Sequence, residues 1–300
     1  MFKLINTNSN YDFLRKKTIA MIFSLALIIL SLGSFVTQGL NWGIDFSSGY
    51  IVQLKFNQDL DINNIRNNFI DNGVNDSVIQ YFGSNQEIII KLQEDSNFNE
   101  DSINNFLINA LQNYSFEIIK LEFVGSQIGS ELREKGEWAM LVAILSILIY
   151  IGFRFEFLYG IGAIIALIHD VLITLGIFSI FQLQFDLSVL SALLAVIGYS
   201  LNDTIVVYDR IRENSTLIHE EDFTKILNVS INQTLSRTII TSLTTLFVLT
   251  SLLILGGAAV QYFSLAMIIG IFIGTYSSIY IASSSLFILG VGKKSDQSPS

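Results

Sequence analysis

The sequence contains no cysteine and a single proline, Pro299, and these absences exclude several kinds of protein. Without cysteine there is no disulfide, no thiolate metal site and no cysteine nucleophile. The two histidines, His169 and His219, leave little for a histidine metal site, so we expect no metal and no cofactor. The net charge of −9 argues against a nucleic-acid partner.

Charged side chains are also scarce, at 14% of the 300 residues, whereas hydrophobic residues make up 51%. A soluble globular domain carries about 25% charged residues. Too few charges remain to cover a water-exposed surface. We therefore interpret the chain as an integral membrane protein whose surroundings are a lipid bilayer.

Long apolar stretches support this interpretation, because a helix needs about 20 predominantly apolar residues to cross the hydrocarbon core. Six stretches qualify, at 18–37, 138–153, 157–181, 187–208, 238–255 and 262–290. Residues 1–17 precede them, 38–137 separate the first from the second, and 291–300 follow the last. The first stretch is too long for a signal peptide and no A-x-A site follows it, so we expect an uncleaved helix.

The distribution of basic residues predicts the orientation, since lysine and arginine concentrate in short cytoplasmic loops. Eleven of the 17 fall on one side if the six helices alternate: Lys3, Arg15, Lys16, Lys17, Arg154, Arg210, Arg212, Lys225, Arg237, Lys293 and Lys294. Both termini are then cytoplasmic, and residues 38–137 lie outside. Trp42 and Trp138 flank this outer segment as interfacial aromatic residues do.

Residues 50–124 have the pattern of a separate folded unit. Alternating and helical apolar spacings follow one another as strand, helix, two strands, helix and strand. This β-α-β-β-α-β order predicts a ferredoxin-like α+β domain between the first two membrane helices. The domain contains no histidine, so a Ser/His/Asp catalytic set is excluded there.

Ionisable residues within membrane spans are costly and indicate function unless they only specify packing. Asp203, on the fourth span, lies roughly 24 Å from the outer face, and Arg237, at the start of the fifth, roughly 27 Å. The two can pair if those helices touch. His169 and Asp170, on the third span, are weaker candidates near the midplane, where a purely structural pair is equally open.

The neighbours of Asp203 are candidates for supporting roles. Tyr199 and Ser200 share its helix face or lie beside it, and Asn202 precedes it. Thr241 belongs to the hydroxyl-rich fifth span. Hydroxyl groups beside a buried carboxylate can orient a proton through water, although Arg237 could also simply extend to the cytoplasmic surface.

Several motifs resemble those of the SecF family, the smaller membrane subunits of the bacterial SecD–SecF protein-export complex. Residues 197–214, I-G-Y-S-L-N-D-T-I-V-V-Y-D-R-I-R-E-N, are similar to its fourth-helix signature. Gly43, Asp45 and Gly49 match its G-I-D-F-x-G-G motif, in which Ser48 replaces a glycine. Residues 124–129 resemble V-G-P-x-V-G, with Ser126 in place of proline. Residues 166–170, 233–238 and 263–270 also match.

The resemblance implies one six-helix half of a transporter of the resistance–nodulation–division (RND) superfamily, with SecD as the other half. It implies a protein in the bacterial inner membrane, driven by the proton motive force, that assists polypeptides leaving the SecYEG channel. Asp203 and Arg237 match the family's proton-relay residues. A further relay carboxylate belongs to SecD, so SecD is expected as an obligate partner.

Two alternatives remain open. The chain could be an RND-type half-transporter for a lipid or small molecule, which an apolar pocket in the outer domain would favour. It could instead be a purely structural translocon subunit, in which case replacing Asp203 would change only assembly. An enzyme is the least favoured reading, because no intramembrane protease motif surrounds Asp170 and Asp203.

Overall fold

The computed structural model describes residues 11–43, 45–46, 48–74, 77–82, 84–93, 100–217 and 222–291. Lys3, Lys293 and Lys294, used above for orientation, lie outside them. The elements in chain order are α1 (Lys17–Thr37), β1 (Asn41–Trp42), β2 (Gly49–Phe56), α2 (Ile62–Asp71), β3 (Ser77–Phe82), β4 (Ser84–Gln93), α3 (Glu100–Ala110), β5 (Phe116–Val124), α4 (Ser126–Arg154), α5 (Phe157–Ile180), β6 (Gln184–Phe185), α6 (Leu187–Leu217), α7 (Phe223–Leu255), α8 (Ala258–Ser277) and α9 (Ser283–Ile288).

Among the described residues, six helical segments are long and apolar enough to cross a bilayer. They are α1, α4, α5, α6, α7 and the continuous segment formed by α8, a π-helical turn at Ser278–Ala282, and α9. The predicted fold class, six membrane helices with one small α+β domain, is confirmed.

Three of these helices extend well beyond the apolar stretches that mark them in the sequence. α4 begins at Ser126, α6 ends at Leu217 and α7 begins at Phe223. The extensions are polar and carry their own stabilising contacts. The Asp222 side chain caps α7 by accepting from the Thr224 N–H at 2.9 Å, and hydrogen bonding to Thr224 lowers the pKa of this carboxyl.

The outer domain is a four-stranded antiparallel sheet in the order β3-β4-β2-β5, with α2 and α3 completing the ferredoxin-like fold. Alternate residues of β2 enter the core, because successive side chains of a strand point to opposite faces. The core side chains include Val52, Leu54, Phe56, Ile65, Phe69, Ile88, Ile90, Leu107 and Leu111.

The membrane helices pack unevenly. α6 packs most extensively on α8, and α1 packs mainly on α5. α5 and α6 are the most buried of the six, whereas α4 and α7 are largely exposed to the surroundings. The polar residues of interest therefore lie on the two central helices and on their nearest neighbours.

Candidate functional site

Asp203 lies on the central helix α6 and is almost fully buried, with 3% of its surface exposed. Its Oδ2 atom is buried and has no hydrogen-bond partner among the described residues. Burying a polar group without a partner costs free energy, so this position is unusual for a carboxyl group. The oxygen can gain or lose a proton without breaking a hydrogen bond.

Helix α7 lies alongside this carboxyl group. The Tyr199 hydroxyl lies 3.4 Å from Thr245 Oγ1, and Asn214 Nδ2 donates to Ser230 Oγ at 2.8 Å. Because α6 and α7 run antiparallel, these contacts place Asp203 at about the level of Thr241. Helices α6 and α7 therefore touch, as the pairing hypothesis requires.

Arg237 is about one turn from that level, toward the loop that joins α6 and α7. It is exposed and lines a polar cleft with Asp209, Glu213 and Gln233. Within the described part of the chain, no ion pair within 4.0 Å joins it to Asp203. The two residues nevertheless interact electrostatically. In this conformation they are neighbours across the helix pair and not a closed salt bridge.

The hydroxyl groups near Asp203 differ in how they are used. Thr241 Oγ1 donates to carbonyls of its own helix, at 3.0 Å to Arg237 and 2.9 Å to Thr238. Thr238 Oγ1 is buried and lacks a partner among the described residues. Asn202 is exposed at the surface of α6. Thr238, which belongs to the hydroxyl-rich fifth span, is thus a second polar group on this helix pair without a partner among the described residues.

Asp170 lies in a very different environment, although it is equally buried. Its Oδ1 accepts from His169 Nδ1 at 2.8 Å, and its Oδ2 accepts from the hydroxyls of Ser200 and Ser277. His169 Nε2 lies 3.0 Å from Ser24 Oγ, which in turn lies 3.0 Å from the Tyr276 hydroxyl. The result is a continuous polar network within the membrane region.

This network, which we call the Asp170 network, consists of Ser24, His169, Asp170, Ser200, Tyr276 and Ser277. It joins α1, α5, α6 and α8. Sequence reasoning missed Ser24 and Tyr276. One signal could have pointed to Ser24, because it belongs to a row of small residues on one face of α1. The structure buries this row against α5: Ala20, Ser24, Ser31 and Ser34.

The Gly43–Gly49 segment connects α1 to the outer domain. The Gly43 N–H donates to Phe185 O at 2.7 Å beside the parallel β1–β6 pair. Asp45 Oδ2 accepts from the Leu187 N–H at 3.1 Å and so caps α6. A Cβ at Gly43 would lie 2.9 Å from Asp186 Cβ, so only glycine fits there. Gly49 begins β2. This segment joins the outer domain to the start of the helix that carries Asp203.

Among the described residues, no group of three or more histidine or acidic side chains could hold a metal ion. An apolar cavity of about 330 Å³ lies between α4, α5, α6 and the segment that follows α1. None of its lining residues belongs to the β2–β5 domain, so it is not a pocket in the outer domain.

Comparisons with known protein families match most of the chain. The family described as "Protein export membrane protein SecD/SecF, C-terminal" matches residues 105–291. The "SecD/SecF GG Motif" matches residues 33–59, which include the segment around Asp45.

Individual relatives agree with the family match. The chain is 41% identical to "Protein translocase subunit SecF" of Vibrio alginolyticus, over 98% of this chain and 94% of the relative. It is 45% identical to the protein of the same name from Calditerrivibrio nitroreducens, covering 96% of each chain.

A solved structure shows the same fold in a longer protein. The crystal structure of SecDF from Thermus thermophilus, described as a translocon-associated membrane protein, is 35% identical with a TM-score of 0.81. The match covers 96% of this chain but only 40% of that one. A second structure, of SecDF in a super-membrane-facing form, has a TM-score of 0.76. Taken together with the six membrane helices, these matches show that the chain belongs to the SecD/SecF family of protein export membrane proteins, among the SecF translocase subunits.

Proposed function

We propose that this chain works with a SecD partner to convert proton movement across the inner membrane into assistance for polypeptides leaving the SecYEG channel. The names of the relatives support a role in protein translocation. The chain spans about 40% of the SecDF chains, which leaves room for a second, SecD half. The termini would be cytoplasmic and residues 38–137 would lie outside.

The observation that carries the proposal is the buried carboxyl oxygen of Asp203, which has no hydrogen-bond partner in the part of the chain that the structure describes. Ionisable groups at such positions mark proton or ion pathways in membrane proteins. Arg237 lies about one turn away, on a polar cleft that opens between α6 and α7. In the proposed cycle, proton binding removes the charge of Asp203 and its attraction to Arg237. The protein would then alternate between two arrangements of its helices that differ in their affinity for the proton.

Asp203→Asn tests the proposal. We would co-express the variant with SecD, prepare inner-membrane vesicles, and measure proton-gradient-dependent translocation of a secretory protein together with the amount of assembled complex. We expect the gradient-dependent rate to fall at least about tenfold, given the usual contribution of a positioned proton-transfer group, with the complex intact.

Asp71→Asn is the matched control. Asp71 is the last residue of α2 in the outer domain, is exposed, and does not line the cleft that contains Arg237. The same chemical change there should leave the gradient-dependent rate unchanged. Full export by Asp203→Asn would contradict the proposal and favour a purely structural subunit. A proton leak that requires no secretory protein would favour the half-transporter alternative.

A further inference from the structure

We infer that the Asp170 network couples movement of α6 to movement of α1. His169, Asp170 and Ser24 are positioning residues for this coupling. The inference rests on the proposed function, because it concerns how a proton-driven movement at Asp203 reaches the outer domain. Four features of the structure support it.

The first feature is the complete set of partners around Asp170. Its two oxygens accept from three side chains, and 1% of its surface is exposed. A carboxylate with this many donors is held in place, because proton uptake would weaken several hydrogen bonds at once. Asp170 is therefore suited to hold the helices together at a fixed contact, whereas Asp203 is suited to exchange a proton.

The second feature is the position of Ser200. It lies three residues before Asp203 on α6, less than one helical turn away. Its hydroxyl donates to Asp170 Oδ2. Any shift or rotation of α6 that follows proton binding at Asp203 must therefore displace Ser200 relative to Asp170.

The third feature is the close packing within two pairs of helices, α1–α5 and α6–α8. In the α1–α5 pair, Ser34 Oγ lies 2.6 Å from Ser179 Oγ, and Gly176 admits Ser31 so closely that a Cβ would collide with it. In the α6–α8 pair, a Cβ at Gly274 would lie 3.0 Å from Ser200 Cβ. Such close packing transmits displacement because interiors have little free space.

The fourth feature is where the network crosses between these pairs. Asp170 on α5 holds Ser200 of α6 and Ser277 of α8, and His169 continues the contact to Ser24 of α1. Helix α1 leads directly to β1 and the outer domain. The network therefore lies between the pair that carries Asp203 and the pair that continues into the outer domain.

We would test this coupling by measuring the distance between two spin labels. The labels are placed on the full chain, assembled with a cysteine-free SecD. The chain has no cysteine of its own, so labels can be placed at Lys55→Cys in β2 and at Ser251→Cys near the end of α7, both exposed. Asp203→Asn serves as the mimic of the proton-bound state. We expect it to shift the distance distribution by at least about 2 Å, the scale of helix displacements in switching proteins.

In a His169→Gln or Ser24→Ala background, the same mimic should produce no shift. In the His169→Gln and Ser24→Ala single variants, which keep Asp203, carbodiimide modification of Asp203, located by peptide mass spectrometry, should stay within about twofold of the parent, since the proton site itself is intact. Ser24→Thr, which keeps the hydroxyl, should restore the shift. Ser264→Ala is the matched control, because Ser264 is a buried serine of α8 that has no hydrogen-bond partner among the described residues and lies outside the network.

A shift of parental size in both backgrounds would overturn the inference. So would a loss of Asp203 modification in step with the loss of the shift, because the network would then act on the proton site itself. The export assay separates this inference from the proposed function. If the proposed function is wrong, the Asp203→Asn variant exports normally. If only this inference is wrong, Asp203→Asn is inactive in export and His169→Gln is active.

Discussion

Two aspartates on adjacent central helices show how strongly a side chain's role depends on its neighbours. Asp170 and Asp203 are both at least 97% buried, and the sequence marked both as ionisable residues within membrane spans. The structure gives Asp170 three hydrogen-bond donors, whereas the described residues give Asp203 Oδ2 none. The first environment holds its carboxyl group in place through hydrogen bonds, and the second supports the proton exchange that we propose for Asp203.

This difference predicts that the same substitution has a much larger effect on stability at Asp170 than at Asp203. Asp170→Asn removes an acceptor from buried donors and should lower the free energy of unfolding by about 1–3 kcal/mol. Asp203→Asn loses no hydrogen bond to a described residue and should therefore lower it by less than Asp170→Asn does. Thermal unfolding of the detergent-purified chain would measure both. Equal destabilisation by the two changes would contradict this view of the site.

At the scale of elements, the sequence predicted the number of membrane helices and the order of strands and helices in the outer domain. Apolar length and alternation are local properties, so they can be read without a structure. The polar extensions of α4, α6 and α7 were missed because a hydropathy window marks only the part of a helix that is apolar. The π-helical turn at Ser278–Ala282 carried no recognised signal.

The partners in the site could not be predicted for a different reason. The third and fourth spans showed their own aspartates, but the contact of His169 with Ser24 joins residues 145 positions apart. Which face of α1 meets α5 depends on packing against the other helices. Spacing within one helix therefore pointed to Ser24 only as one of several small residues.

Packing of α1 on α5 gives a prediction at this scale. Gly176→Ala should destabilise the chain, because its Cβ would collide with Ser31, and overpacking typically costs about 1–3 kcal/mol. The measurement is the unfolding temperature in detergent and the amount of the folded chain in membranes.

Gly152→Ala on α4 is the control, since a Cβ there meets nothing within 4 Å. That change should be neutral or slightly stabilising, because alanine favours helix more than glycine does. Ser31→Gly combined with Gly176→Ala should recover part of the loss. If Gly176→Ala matched Gly152→Ala, the close approach of α1 and α5 would be wrong.

At the scale of the whole molecule, the outer domain is joined to the membrane helices by the chain itself and by side-chain contacts. α1 leads into the domain through β1, and β5 leads out of it into α4. Asp45, just before β2, caps α6, and Lys91 of β4 lies 4.0 Å from Asp186, which precedes α6. A movement of α6 relative to α1 would therefore act on the domain through α1 and through these contacts, which is the route by which the proposed function would carry a proton-dependent change to an emerging polypeptide.

The central claim is that Asp203 is the group on this chain that binds and releases the proton. Infrared difference spectra of the complex with SecD, recorded between acidic and alkaline pH, detect the carbonyl stretch of a protonated buried carboxyl group directly. We predict that Asp203→Asn abolishes one such band and that Asp170→Asn leaves it in place. A band that persists in Asp203→Asn and disappears in Asp170→Asn would contradict the account.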